Sequence, residues 1–202
     1  MESIRGKHAA RVDDATLARQ IAGYPHILID LGTGDGRFVR HVAATWPGTF
    51  AIGIDLCAAN LRESARRAPA NALYLIASAH TLPAELQGRA THLTINFPWG
   101  DLLTGLLAHD PRLLAGLGAL GRPGARLEVR LNGGALAEAG EPLPAAGAAV
   151  ARGLRVAGFA VEPPRLLDAR ELRACPTTWA HRLAFGRDPR ALYLEGVKID
   201  KR

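Results

Sequence analysis

Lysine is almost missing from the 202-residue chain: Lys7, Lys198 and Lys201 are its only lysines among 25 basic residues. Cysteine is as scarce. Cys57 and Cys175 lie far apart, which excludes a disulfide-stapled secreted scaffold and fits reduced thiols in a cytoplasmic protein. No clustered metal ligands stand out, so no metal is expected. No apolar run approaches the roughly 20 residues that span a bilayer, and the start, Met-Glu-Ser-Ile-Arg-Gly-Lys-His, holds no apolar signal segment. Aromatic residues are only 5% of the chain, so a tryptophan placed in a loop is conspicuous.

Apolar patterning and positive charge are what the chain does have. Hydrophobic residues make up 48% and mean hydropathy is +0.03, as in a globular chain large enough for one sizeable core. The formal charge of +6 and pI of about 10.0 suggest a polyanionic partner. Arginine is the better phosphate and stacking group, although abundant Ala, Gly and Pro give a second source for that bias in a GC-rich genome.

Residues 26–37, His-Ile-Leu-Ile-Asp-Leu-Gly-Thr-Gly-Asp-Gly-Arg, read as an apolar strand and a glycine loop. They lead into a helix with Phe38, Val39, Val42 and Trp46 at helical spacing. This is the opening unit of a doubly wound α/β fold, whose loop offers backbone N–H groups and a helix N-terminus to a ligand. A dinucleotide fold uses G-x-G-x-x-G around a pyrophosphate. Here the pattern is D-x-G-x-G-x-G, with Asp30 before the loop and Asp35 inside it. Two carboxylates repel a pyrophosphate and suit a cationic ligand. Ile52-Gly-Ile-Asp55 ends a second strand in an acid 19 residues after Gly36, able to hold ribose hydroxyls. The set resembles the first motifs of class I S-adenosylmethionine (SAM) methyltransferases. That implies SAM as cofactor, S-adenosylhomocysteine as product, and a Rossmann-like, doubly wound, seven-stranded, mostly parallel sheet.

Along the chain, 1–25 is a polar N-terminal extension with a small hairpin beginning at Ser3 and a short helix from Asp13. Strands are expected at 26–31, 49–55, 71–77, 92–97, 125–131, from Phe159, and at 191–197. Helices are expected at 35–46, 58–68, through the Leu-rich stretch to about 120, and at 148–157. Gly121-Arg-Pro-Gly124 reads as a turn, and the Gly-, Ala- and Pro-rich 132–147 as a loop. Residues 163–187 form an insert before the last strand, where substrate-recognition elements commonly sit, within a single domain of 1–202.

Ligands of open parallel sheets bind at the carboxyl ends of the strands. The cofactor candidates there are Asp30, Gly32, Thr33, Gly34, Asp35, Asp55, Leu56, Ala79, His80, Asn96 and Asp101. Asn96-Phe-Pro-Trp99 approaches the Asn-Pro-Pro-aromatic motif of amino-group methyltransferases, but Phe97 spoils the match. What survives is Trp99, set by Pro98 in a strand-end loop that is a poor core position. Thr177-Thr-Trp-Ala-His-Arg-Leu-Ala-Phe-Gly-Arg187 adds Trp179 with His181, Arg182, Arg187 and Arg190 around it. An aromatic with arginines is how unstacked RNA bases and their phosphates are held. Arg62 and Arg66 share a helix face with Arg67 beside them, either as a solvated face or as phosphate contacts.

Taken with Phe-Pro-Trp-Gly100 and Trp179-Ala-His-Arg-Leu-Ala-Phe-Gly-Arg187, the motifs resemble the aminoglycoside-resistance methyltransferases of the Kam/Npm type. The likeness spans nearly the whole chain. It implies methylation of N1 of adenine 1408 of 16S rRNA in the 30S subunit, resistance to drugs such as kanamycin and apramycin, and a monomer. It also implies that Trp99 and Trp179 clamp the flipped adenine, that Thr177 supplies a hydroxyl near the cofactor, and that Arg66, Arg67, Arg182, Arg187 and Arg190 meet rRNA. Asp101 and His80 depart from the family pattern. Two other readings stay open: another RNA base methyltransferase, such as one making 7-methylguanine in tRNA, and a non-catalytic SAM-binding rRNA-binding factor.

Overall fold

The computed structural model describes residues 1–5, 8–185 and 189–200. Its organising element is β3 (His26–Leu31), buried at every position after His26. Ile27, Ile29 and Leu31 enter the core on one face of the sheet and Leu28 on the other, as the two-residue alternation of a strand requires. On one side β3 pairs in parallel with β4 (Thr49–Asp55), and β4 with β5 (Ala72–Ile76). On the other side it pairs in parallel with β6 (Ala90–Asn96), and β6 with β7 (Gly121–Asn132).

Both flanks are antiparallel. β10 (Ala191–Lys198) returns along β7 and pairs with β8 (Phe159–Val161) and β9 (Arg165–Leu166). At the far edge β1 (Glu2–Arg5) joins β5 and β2 (His8–Arg11). The order is β2-β1-β5-β4-β3-β6-β7-β10-β8, in a sheet of ten strands among the described residues rather than the seven expected. The additional strands are the N-terminal hairpin, which extends the sheet edge, and β9 from the insert. Among the described residues parallel pairing is confined to the four central ladders, so "mostly parallel" holds for the centre alone.

α1 (Asp14–Ile21), α4 (Gly100–Ala108), α5 (Pro111–Leu120), α6 (Gly133–Glu138) and α7 (Leu143–Val156) pack on the Ile29 face. They bring Leu17, Leu103, Leu113, Leu136 and Val150. α2 (Arg37–Thr45) and α3 (Ala58–Arg66) pack on the Leu28 face through Val39, Val42 and Leu61. Ile29, Ile52 and Ile54 are 0% exposed, and each such burial contributes about 1.5–3 kcal/mol.

Two expectations fail for identifiable reasons. The 132–147 stretch is α6 plus the start of α7. Asn132 caps α6 by accepting from Gly134 N at 2.8 Å, and Pro144 sits in the first turn of α7, where its missing N–H has no partner to lose. Gly121-Arg-Pro-Gly124 is the start of β7, with a register irregularity where Gly121 pairs Ala90, a position that tolerates Pro and Gly. The insert holds β9, α8 (Ala169–Ala174) and α9 (Thr178–Ala184).

Candidate active site

The chain places β4 and β5 to one side of β3 and then crosses to lay β6 and β7 on the other. At such a switch point the carboxyl ends of neighbouring strands open a crevice. Here it is a cavity of about 480 Å³, and all twelve cofactor candidates, Thr177 included, line it with Trp99 and Trp179. Asp30, Asp35, Asp55 and Asp101 are among the lining residues, and no Lys or Arg among the described residues is. The field inside therefore favours a cation.

The glycine loop works differently from the expectation. The N–H groups of Gly32 and Thr33 donate to Ile54 O, and Gly36 N donates to Thr33 O. Gly34 N donates to Asp55 Oδ2 at 2.8 Å while Cys57 N donates to Oδ1 at 2.9 Å. These amides are thus occupied within the protein and fix Asp55, instead of facing a ligand. What glycine supplies is space and backbone freedom. Gly36 has φ +69°, and a Cβ there would lie 2.5 Å from Tyr74 Cε1. The Tyr74 hydroxyl donates to Gly36 O at 3.0 Å, pinning the loop from below.

Asp30 is 1% exposed. Its Oδ1 accepts from Thr94 Oγ1 at 2.7 Å and from Asn96 Nδ2 at 2.9 Å. Burial pushes its carboxyl up, opposed by Thr33, Thr94, Asn96 and, least, the Arg130 charge. Asn96 Oδ1 accepts from Arg130 Nη1 at 2.9 Å, so both ends of the amide are engaged within the protein. Asp35 also has protein partners: Thr178 Oγ1 donates to its Oδ2 at 2.6 Å, and Arg37 Nε lies 3.3 Å from the same oxygen. His80 Nδ1 meets Asp110 Oδ1 at 3.2 Å, and Asp110 caps α5. Thr177 caps α9 by accepting from Ala180 N at 2.9 Å. Asp101 stands in the first turn of α4.

Trp99 and Trp179 stack on each other, with ring centroids 5.2 Å apart and planes 30° from parallel. The Trp99 indole Nε1 is buried without a hydrogen-bond partner among the described residues. Phe97 explains its own misfit to the Asn-Pro-Pro-aromatic pattern. Its side chain is buried with Leu172, Cys175, Ala180 and Leu183, anchoring α8 and α9 over the crevice. It does so at φ +53°, a conformation that costs a bulky residue energy and concentrates at functional sites. Thr178 and Phe97 escaped sequence reasoning. The signals were there, in the Thr-Thr pair and in the one residue that broke the motif.

Of the RNA candidates, Arg182 lies with its guanidinium carbon 5.1 Å from the Trp179 ring centroid. Arg66 and Arg67 both reach Glu63, at 2.8 and 3.1 Å, on the exposed face at the end of α3. Asn60 of the same helix lines the cavity, so these arginines stand about 10 Å further along it. Arg190 is exposed beside β10, and its carbonyl accepts from Gly133 N at 2.9 Å. Arg187 lies outside the described residues. No group of three or more His, Cys, Asp or Glu among the described residues could hold a metal ion, and no helix among them is long and apolar enough to cross a membrane.

A wound α/β sheet with an acid-lined crevice at its switch point has the architecture of a Rossmann-like methyltransferase. A family model described as NpmA, 16S rRNA (adenine(1408)-N(1))-methyltransferase, matches residues 2–198. The enzyme of that name from Streptoalloteichus tenebrarius is 32% identical, over 93% of this chain and 94% of its own. Among solved structures, the 16S rRNA methyltransferase KamB has a TM-score of 0.88 at 31% identity, covering 99% of this chain and 100% of its own. A variant of the 16S rRNA (adenine(1408)-N(1))-methyltransferase from Catenulisporales acidiphilia, with cosubstrate SAM, has a TM-score of 0.87 at 27% identity. It covers 100% of this chain and 98% of its own. The chain belongs to the family of 16S rRNA (adenine(1408)-N(1))-methyltransferases.

Proposed function

We propose that the chain methylates N1 of adenine 1408 of 16S rRNA in the 30S subunit, with SAM as methyl donor, and so confers resistance to aminoglycosides such as kanamycin and apramycin. The observation that carries this reading is the stacked Trp99–Trp179 pair lining one cavity together with four aspartates.

The cavity fits SAM by its chemistry. Asp55, fixed by two backbone amides, is the acid for the ribose hydroxyls. Buried Asp30 is the acid for the positively charged methionine end. Gly32, Thr33, Gly34, Leu56, Ala79, His80, Asn96, Asp101 and Thr177 shape the rest of the wall. Asp35 contributes by holding Thr178, and through it α9, against the glycine loop. When bound, SAM supplies an electrophilic methyl group on a sulfonium sulfur.

The residues act by placing the base. Adenine N1 carries an in-plane lone pair and no proton at neutral pH, so the site needs no general base. A flipped base loses its stacking, at a cost of a few kcal/mol. Indole contacts from Trp99 and Trp179 return about 1–3 kcal/mol each and hold the ring at one angle. The methylated ring is cationic, and an indole face favours a cation.

Residues 1–202 act as a single domain, with 1–25 as an extension and 163–187 as the substrate-recognition insert. Arg66, Arg67, Arg182, Arg187 and Arg190 meet rRNA phosphates. The chain works as a cytoplasmic monomer. Incubation with 30S subunits and methyl-labelled SAM tests the reading. Label in 16S rRNA is expected, whereas label in tRNA alone, or none, contradicts it.

A further inference from the structure

Asp30 is connected across the sheet by polar contacts that run beyond the lining of the cofactor cavity. Asn96 donates to Asp30 through Nδ2 and accepts from Arg130 Nη1 through Oδ1, both at 2.9 Å. Arg130 Nη2 donates to Glu128 Oε2, and Glu128 Oε1 accepts from His92 Nε2 at 3.1 Å. The Arg130 guanidinium carbon lies 5.2 Å from the Tyr193 ring centroid. Register explains the row. Asp30 stands opposite Thr94, Thr94 opposite Glu128, Asn96 opposite Arg130, and Arg130 opposite Tyr193. Alternation along the strands puts these side chains on one face. That face floors a groove of about 800 Å³ lined by His92, Glu128, Arg130 and Tyr193, apart from the cofactor cavity.

The chemistry of the row has one direction. A guanidinium only donates, so Asn96 must turn its oxygen to Arg130 and its NH₂ to Asp30. With Arg130 the amide is held at both ends; without it Asn96 Oδ1 loses its donor and the side chain is anchored only through its bond to Asp30, about which it can swing. We infer that Arg130 is a positioning residue of the cofactor site, acting through Asn96 to hold the Asp30 carboxylate, an inference that rests on the reading of the cavity as a SAM site.

The electrostatics agree. The titratable groups that interact with Asp30 include Arg130 on β7, Tyr74 on β5 and Cys175 after α8. Burial pushes Tyr74 and Cys175 up, so both are neutral near pH 7 and Arg130 is the charge among them. Asp35 and Asp55 face the same cavity with the same sign as Asp30. Asp30 is raised by burial and held back in part by Arg130. Removing that cation raises it further. SAM binding, which wants the carboxylate charged, is then lost at a higher pH as pH falls.

Calorimetric titration with SAM across pH tests this on the wild-type chain, Arg130→Met, Arg130→Lys, Asn96→Ala and the Arg130→Met/Asn96→Ala double variant. The expected result for Arg130→Met is about tenfold weaker binding near pH 7, within the range for residues sharing one hydrogen-bond network, with the acid limb moved to higher pH. Arg130→Lys restores the acid limb in part. Arg130→Met and Asn96→Ala are expected to be clearly less than additive in SAM affinity. Wild-type affinity and pH profile in a folded Arg130→Met, or full additivity with Asn96→Ala, overturns the inference while leaving the SAM site intact. If the Met variant does not fold, an unshifted acid limb in Asn96→Ala overturns it. Failure of the wild-type chain to bind SAM overturns the cofactor reading and this inference with it.

Discussion

The indoles of Trp99 and Trp179 are in contact, 5.2 Å between centroids, and so fill the slot that an adenine between them would occupy. A sandwiched ring needs a contact of about 3.5 Å on each face, or about 7 Å between the outer planes. The pair must therefore part to take a base. Two features favour parting. The stacked arrangement leaves Trp99 Nε1 buried with no partner among the described residues, a state that costs about 1–3 kcal/mol, and Trp179 rides on α9, a short helix.

In the proposed clamp each tryptophan supplies one stacking contact to the base. Trp99→Ala and Trp179→Ala are expected to cut the methylation rate about 5- to 150-fold, the equivalent of 1–3 kcal/mol. SAM affinity by calorimetry should stay near wild type. A variant with wild-type turnover would remove its indole from the clamp.

Asp55 is held by two amide donors, so its loss frees the loop as well as the ribose acid. Asp55→Ala should weaken SAM binding by about tenfold or more, given about 1.5–3 kcal/mol for hydrogen bonds to a charged group. Unchanged SAM affinity would refute this assignment.

Thr178 and Asp35 are 143 positions apart and bonded at 2.6 Å, which ties the Trp179 helix to the cofactor loop. Thr178→Val and Asp35→Asn should each slow methylation of 30S subunits. In a double-mutant cycle they should couple by about 0.5–3 kcal/mol, while Thr178→Ser keeps wild-type rates. Additive effects would mean that the bond does not carry the coupling.

How much of this was readable beforehand depends on the range of the interaction. Local patterns sufficed for β3, the glycine loop, Asp30, Asp55 and the two conspicuous tryptophans, because period and spacing are local properties. Long-range pairing was not readable. Nothing near Gly34 says that its amide is taken by Asp55, and nothing near Thr178 says that it meets Asp35. The 132–147 stretch misled because Gly and Pro mark loops only where the backbone needs them, and Pro144 in a first helical turn does no harm. The strand count failed because the N-terminal hairpin finds its partner in β5, some seventy residues away.

Arg66 and Arg67 each pair with Glu63 on an exposed surface, a kind of pair contributing about 0–1 kcal/mol and easily given up to a phosphate. Arg66→Glu with Arg67→Glu should weaken 30S binding most at low salt and reduce the salt slope by about one per lost phosphate contact. Unaltered binding would return both residues to a solvated face.

Glu128 supplies a pH signature of the fold. Burial would raise its carboxyl, but hydrogen bonds from His92 and Arg130 and their charge outweigh that and hold it at about 2, from 4.5. A carboxyl depressed in the folded state adds stability that is fully present above about pH 4.5 and is lost as pH falls toward 2. Glu128→Gln should therefore lower the melting temperature at neutral pH and flatten its acid decline. An acid decline as steep as wild type would contradict the assignment.

The most direct test of the whole account is primer extension on 16S rRNA from 30S subunits treated with the purified chain and SAM. A reverse-transcription stop at adenine 1408, present with the wild-type chain and strongly reduced with Trp179→Ala, is the predicted result. Full read-through at 1408 with the wild-type chain, or a stop at another base, would contradict it.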